Sequence, residues 1–221
     1  MPVELITSIP YFSGMDSEIL ETVRQTIFDR KFDRGEIILL EGEPAESLFF
    51  VGSGAVKIFK TSPDGKEQIL SIVRPGESFS DVSVFDGGAN PASAQAMGQV
   101  LLYGISRKNV QDLLKKHPEV ALNVVKVMAT RVRQLMSLVE DLSFRHVIGR
   151  VAKILLEYAS DAAEPRPRLT QQEIAAMAGT AREVVGRSLK ALEQHGAIDL
   201  ESHRVVIKNR GMLLELASQQ S

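Results

Sequence analysis

The residues with the plainest chemical purpose are Arg182, Glu183 and Arg187, with Lys190 close behind them. At 3.6 residues per turn, Arg182, Gly186 and Lys190 share one stripe of a helix, and Glu183 and Arg187 lie beside it. An arginine held this way can donate two hydrogen bonds to O6 and N7 of guanine, and a glutamate can accept from N4 of cytosine. Gly186 leaves room for a close backbone or base. An i,i+4 ion pair between Glu183 and Arg187 on a solvated face is the plainer alternative. The neighbouring letters favour DNA. Thr170-Gln171-Gln172-Glu173 is a capping box that opens a helix with Ile174, Ala175 and Ala178 inward. Gly179 suits a left-handed C-cap, and Thr180-Ala181-Arg182-Glu183 reads as a second capping box. The second helix turns Val184, Val185, Leu189 and Leu192 inward. Two short capped helices around a glycine turn make a helix-turn-helix, whose second helix enters the major groove by its N-terminal half. Residues 196–200 and 204–207 then read as a two-stranded wing.

Other chemistry is hard to find. No Ser/His/Asp set, phosphate loop or matched pair of carboxylates stands out, so the chain is not expected to be an enzyme. The four histidines, at 117, 146, 195 and 203, form no grouping with metal-ligand spacing, and no metal is expected. His146 beside Asp141 reads as a salt bridge or solvent pair. Cysteine is absent, which excludes a disulfide framework, a thiolate-held cluster and a cysteine sensor.

The element that must carry the helix-turn-helix is a long helix over 117–144. Val125, Met128, Val132, Leu135, Val139 and Leu142 step by 3 and 4 in alternation, an a/d seam, with Lys126, Arg131, Arg133, Glu140 and Asp141 off it. About 25 residues at ~1.5 Å each span nearly 40 Å. A second copy is expected to bury that seam in a parallel two-stranded coil. Pro118 fits its first turn.

Before this helix the chain reads as β. A short helix over 16–29, capped by Asp16 or Ser17, is followed by strand signals at 36–40, 47–51, 55–60, 67–73, 77–80, 92–97 and 99–105. Asp64-Gly65 predicts a hairpin with a type I′ turn. Many short strands with regular turns imply an antiparallel roll or jelly roll. Residues 107–115 predict a short helix, 145–160 an amphipathic one, and 161–168 a loop. The expectation is an α+β chain with three parts: a β-roll at 1–116, a dimerisation helix and hinge at 117–144, and a winged helix-turn-helix at 145–221.

Charge agrees in a modest way. Residues 1–144 hold 15 Lys and Arg against 19 Asp and Glu, while 145–221 hold 11 against 9, a basic balance suited to a polyanion. No run of 18 apolar residues occurs and no signal peptide is evident, so a cytoplasmic protein without a membrane partner is expected.

These features together resemble the Crp/Fnr family of bacterial transcription regulators. The likeness extends over the Gly-rich roll, the long helix, the segment from Asp141 to Arg150, and Leu169 through Glu193. It implies a homodimer on double-stranded DNA, with RNA polymerase as a further partner. Arg182, Glu183 and Arg187 match the family's Arg-Glu-x-x-x-Arg pattern and by resemblance read a GTGA-type half-site. Thr170, Gln171, Gln172 and Thr180 would contact phosphates, with Lys190 nearby.

The resemblance also frames a sensing site formed by Phe79, Ser80, Asp81, Val82, Ala92, Ser93, Arg131, Leu135 and Met136. Here the family's nucleotide chemistry is missing. Ser80 and Asp81 stand where Gly and Glu would be, Pro91 and Ala92 where Arg and Ser would grip the phosphate, and Leu135 and Met136 where hydroxyls would reach the adenine. Cyclic AMP is therefore not the expected effector, and the effector is unknown. Leu135 and Met136 suit an apolar effector or simply core filling. The alternatives are a haem-dependent sensor of the same family, needing His117 or a non-histidine ligand, and a ligand-binding module with no DNA role.

Overall fold

The structure is a computed structural model that describes residues 6–7, 9–158, 169–201 and 204–218. The loop expected at 161–168 lies outside the described residues. The chain divides into two compact units, Met1–Lys60 with Leu70–Gln134, and Thr61–Ile69 with Leu135–Ser221. The architecture is the expected α+β one.

A single 3-10 turn, Pro10–Phe12, leads to α1, Ser17–Thr26. Asp16 caps α1 by accepting from the Ile19 amide at 2.9 Å. The helix ends three residues earlier than the expected 29. Ile27–Phe32 instead forms β1, paired antiparallel with β8, Val100–Ser106. Pairing along six residues outweighs the local helical pattern of so short a stretch.

The roll is two four-stranded sheets. One has the order β1-β8-β3-β6, with β3 at Ser47–Ser53 and β6 at Ser78–Phe79. The other has the order β2-β7-β4-β5, with β2 at Ile37–Leu39, β4 at Val56–Thr61, β5 at Glu67–Val73 and β7 at Ser93–Ala96. Between β6 and β7 lies α2, Asp81–Asp86. Phe49 stacks on Phe79 with centroids 5.5 Å apart, and Val51, Val56, Val100 and Leu102 close the same core. A second core gathers Tyr11, Phe12, Ile19, Val23, Phe50 and Ile105.

The hairpin between β4 and β5 differs from the expected two-residue turn. The Ser62 amide donates to Lys66 and the Gly65 amide to Ser62, each at 2.9 Å, with Gly65 at φ 81°. That is a three-residue connection, and Pro63 explains it: its ring fixes φ near −65°, the first central position of a type I turn, before Gly supplies the left-handed residue.

After β8 come α3, Arg107–Lys116, and the long helix α4, Glu119–Phe144. Pro118 thus sits immediately before α4 rather than inside its first turn. The second unit then holds α5, Val147–Tyr158; α6, Gln171–Ala178; α7, Arg182–Gln194; the strands β9, Ile198–Glu201, and β10, Arg204–Ile207; and α8, Arg210–Ser218. Val151, Leu155, Ile174, Val185, Leu189, Leu192, Ile198 and Leu213 form its core. Among the described residues no helix is long and apolar enough to cross a membrane.

Ser80, the N-cap of α2, is the one non-glycine at positive φ among the described residues, at 67°. Such a conformation costs an L residue about 1–2 kcal/mol, while glycine in its place loses about 0.5–1 kcal/mol of chain entropy on folding. Ser80→Gly is expected to stabilise the protein by about 0.5 kcal/mol. Denaturant unfolding checks this; a lower midpoint in the variant would refute it.

Candidate nucleic-acid interface and sensing site

The second unit presents its recognition helix cleanly. Thr170 accepts from the Glu173 amide at 3.2 Å, and Glu173 Oε2 accepts from the Thr170 amide at 2.6 Å, so the first capping box forms as expected. Gly179 closes α6 at φ 61°, and the amides of Gly179 and Thr180 both return to Ala175. The second capping box does not form. Thr180 spends its amide on the end of α6, so it belongs to the turn, and Ala181 becomes the N-cap of α7, without a side-chain bond.

Val185, Ser188, Leu189 and Leu192 are buried, and Val184 is half-buried. The opposite face is open: Arg182, Glu183, Arg187 and Lys190 are all exposed. Among the described residues no ion pair joins Glu183 to Arg187, so both side chains are available. A Cβ added at Gly186 would meet nothing within 4 Å. Gln171 and Gln172 are exposed in the first turn of α6, where unpaired amides and the helix dipole favour a phosphate. Thr180 is half-buried in the turn at the other end of α6.

In the first unit, part of the expected sensing site comes together. Asp81 is fully buried, and its Oδ2 collects three donors: the Tyr11 hydroxyl, Ser78 Oγ at 3.0 Å and Arg131 Nη2 at 3.0 Å. The same Arg131 nitrogen donates to Ser78 Oγ at 3.0 Å and to the Ser78 carbonyl. Asp81 Oδ1 is buried with no partner among the described residues. Burial first, and then the adjacent carboxylate, push the Tyr11 hydroxyl well above the ordinary phenol range, so it stays a donor. Tyr11 is not legible as a site residue, because nothing local in the sequence ties position 11 to position 81, and Ser78, three residues from Asp81, looks like any strand serine until Asp81 is buried beside it.

The other candidates disperse. Phe79 is stacked into the core, Val82 is exposed, Ala92 is buried, and Ser93 Oγ accepts from the Glu41 amide at 3.0 Å. Ser80 Oγ reaches Asn90 Oδ1 at 3.4 Å. Leu135 and Met136 fall in the second unit and are 50% and 66% exposed. Along α4, Leu122, Val125, Val132 and Val139 are exposed as well, each by more than half. Met128 instead packs, half-buried, on the core of the first unit.

Comparison with known proteins bears on both units. Residues 29–117 match the cyclic nucleotide-binding domain family and residues 149–216 the Crp-like helix-turn-helix domain family. The chain is 32% identical over 221 residues to a CRP-like cAMP-activated global transcriptional regulator of Mycobacterium tuberculosis, covering 97% of this chain and 99% of that one. Among solved structures, the catabolite activator protein of Thermus thermophilus is 32% identical, with a TM-score of 0.55 over 94% of this chain and 98% of that one. FixK2 of Bradyrhizobium japonicum, at 24% identity, shares the fold with a TM-score of 0.78 over 88% of this chain and 99% of that one.

A cyclic nucleotide brings an anionic phosphate, and the residues present do not fit it. Pro91 and Ala92 offer no side-chain donor. Lys60 Nζ donates to the Pro91 carbonyl at 3.2 Å but already pairs with Glu41 at 2.7 Å. A phosphate there gains no bidentate, charge-assisted partner.

Removing the Tyr11 hydroxyl takes one of three donors from a buried carboxylate while leaving the ring in place. Tyr11→Phe is expected to cost about 1–3 kcal/mol of stability, read as a lower urea midpoint at unchanged slope. An unchanged midpoint would show that the bond contributes nothing.

Proposed function

The chain belongs to the Crp/Fnr family of bacterial transcription regulators, and from that premise we propose that it is a homodimer that reads a GTGA-type palindrome in response to an effector other than cyclic AMP. Its second unit is a Crp-like DNA-binding domain and its first a cyclic nucleotide-binding domain. The observation that carries the reading is the open face of α7, where Arg182, Glu183 and Arg187 stand exposed and unpaired at the N-terminal end of a capped helix-turn-helix.

Arg182 and Arg187 donate to guanine, Glu183 accepts from cytosine, and Thr170, Gln171, Gln172, Thr180 and Lys190 hold phosphates beside them. The dimer forms along α4, where the exposed stripe needs a second copy to leave water. Two recognition helices then meet successive major grooves about 34–36 Å apart. Val125, Val132, Leu135 and Val139 line the seam, and Leu142, less exposed and turned in part toward Gly179 of its own chain, ends it. Met128 leaves it for the core of the first unit, and Leu122 and Met136 extend it. An effector in the first unit shifts the coil and with it the spacing of the recognition helices. Cytoplasmic location and contact with RNA polymerase follow from the same reading.

Fluorescence anisotropy on a GTGA-N6-TCAC duplex, at two salt concentrations, tests the proposal. Specific binding is expected to be unchanged by added cyclic AMP; binding that appears only with cyclic AMP would overturn the effector reading. The double variant Arg182→Ala, Arg187→Ala is expected to lose about 1–3 kcal/mol per arginine in specific binding. Retained specificity in that variant would show that these arginines do not read the bases, whereas a wild type that binds no duplex specifically would leave a ligand-binding module without a DNA role. Gly186→Ala separates folding from binding: it stabilises the free helix by up to about 1 kcal/mol while weakening specific DNA binding. A variant that melts higher and binds as well as the wild type would show that position 186 does not approach DNA.

A further inference from the structure

We infer that Asp141 is a positioning residue for the recognition helix, fixing the turn of the helix-turn-helix to the last turns of α4. The inference rests on the proposed DNA reading and goes beyond it in naming what holds the reading head in place.

From Leu135 onward α4 belongs to the second unit. There the Asp141 carboxylate gathers two cations. Arg145 Nε lies 2.6 Å from Oδ1 and Lys153 Nζ pairs with Oδ2, with Ser137 Oγ a further acceptor for Lys153 at 3.2 Å. Lys153 lies in α5, so one carboxylate ties α4 to α5. Arg145 then donates to the Ala217 carbonyl in the last turn of α8. Arg150 donates through Nε to the Ala178 carbonyl at 2.7 Å and through Nη1 to the Arg145 carbonyl at 2.5 Å. Ala178 is the final residue of α6. Guanidinium groups thus hold carbonyls that end two helices, the pole where a cation is favoured.

Packing makes the same connection by a different force. A Cβ on Gly179 would sit 2.7 Å from Leu142 Cδ2. The turn that launches α7 therefore packs on the Leu142 side chain of α4, and its positive φ of 61° favours glycine there. Two residues separate Gly179 from Arg182. A movement of the end of α4 must carry the turn, and with it Arg182, Glu183 and Arg187.

The node is built to be sensitive. Asp141 and Arg145 side chains are only 13% and 19% exposed. Removing the anion leaves Arg145 and Lys153 facing each other without a counter-charge, and the lost pairs are those that bridge elements. Breaking a shielded pair from one side costs more than the pair is worth. Asp141→Asn keeps the size of the side chain and removes its charge.

The readout is spacing. In a two-fold dimer, one base pair added between half-sites moves them about 3.4 Å apart and rotates one about the duplex axis. A firmly seated turn prefers one spacing, and a loosened turn accepts neighbours. Full-length wild type, Asp141→Asn, Asp141→Glu and Lys153→Gln are titrated against GTGA palindromes with spacers of 5, 6 and 7 base pairs, with melting temperatures measured alongside. In Asp141→Asn the ratio of best to next-best affinity is expected to fall roughly tenfold. Lys153→Gln should move it the same way by less, and Asp141→Glu should restore most of the preference. Equal weakening on all three spacers, or a preference unchanged in both Asp141→Asn and Lys153→Gln, overturns the inference. The Arg182→Ala, Arg187→Ala variant is run in parallel. If it binds like wild type, the DNA reading itself fails, and the inference falls with it for that separate reason.

Discussion

A carboxylate taken wholly out of water must be compensated on the spot, and the first unit is arranged to do so at Asp81. Two distant stretches converge there, the turn before α1 with Tyr11 and α4 with Arg131, and β6, just ahead of α2, adds Ser78. A buried ion with one partner would cost several kcal/mol; one with three donors on the same oxygen is tolerable, and the donors become fixed by it. The aromatic packing follows from the same anchor. Tyr11 lies within about 6 Å, centroid to centroid, of Phe50 and Phe85, so its ring closes a core while its hydroxyl closes the charge.

The long helix meets each unit through one ion-pair node of opposite layout. Toward the first unit α4 contributes the cation, Arg131, and the roll contributes the acid. Toward the second it contributes the acid, Asp141, and α5 contributes the cation Lys153. Apolar packing alone is non-directional and lets a smooth helix slide or roll. A charge pair with specific donors fixes rotation about the helix axis. That matters for a helix with one face given to packing on its own unit, through Val124, Val127 and Met128, and another face left bare.

How far these features could be read from letters depends on how local they are. The helix-turn-helix was legible because caps, a left-handed glycine and an apolar stripe all lie within a few residues of one another. Its one local error, the cap at Thr180, arose because the residue after a C-cap glycine must first satisfy the preceding helix. The end of α1 was misplaced because β1 depends on pairing with β8, about 70 residues away. Met128 fits a heptad as well as its neighbours do, and only the presence of the roll decides which side of the helix it serves. Tyr11 and Ser78 gave no signal, since their role exists only once position 81 is buried beside them. Asp141 and Arg145 stood at i,i+4 in plain view, but the reach of Arg145 to Ala217 spans 72 residues.

The bare face of α4 narrows what the helix can be for. Leu122, Val125, Val132, Met136 and Val139 expose between 55% and 67% of their surface. A buried aliphatic side chain contributes about 1.5–3 kcal/mol relative to an exposed one, so a stripe of this size gains much by being covered. Its period of alternating three and four residues suits another helix better than a sheet or a flat surface. In the proposed dimer a second copy would supply an identical stripe at no further cost in sequence, and two-fold symmetry would set two recognition helices in opposite directions, as a palindrome requires. The charge nodes and the bare stripe are therefore complementary devices on one helix. The nodes fix which face points inward, and the face they leave outward is the one that can pair.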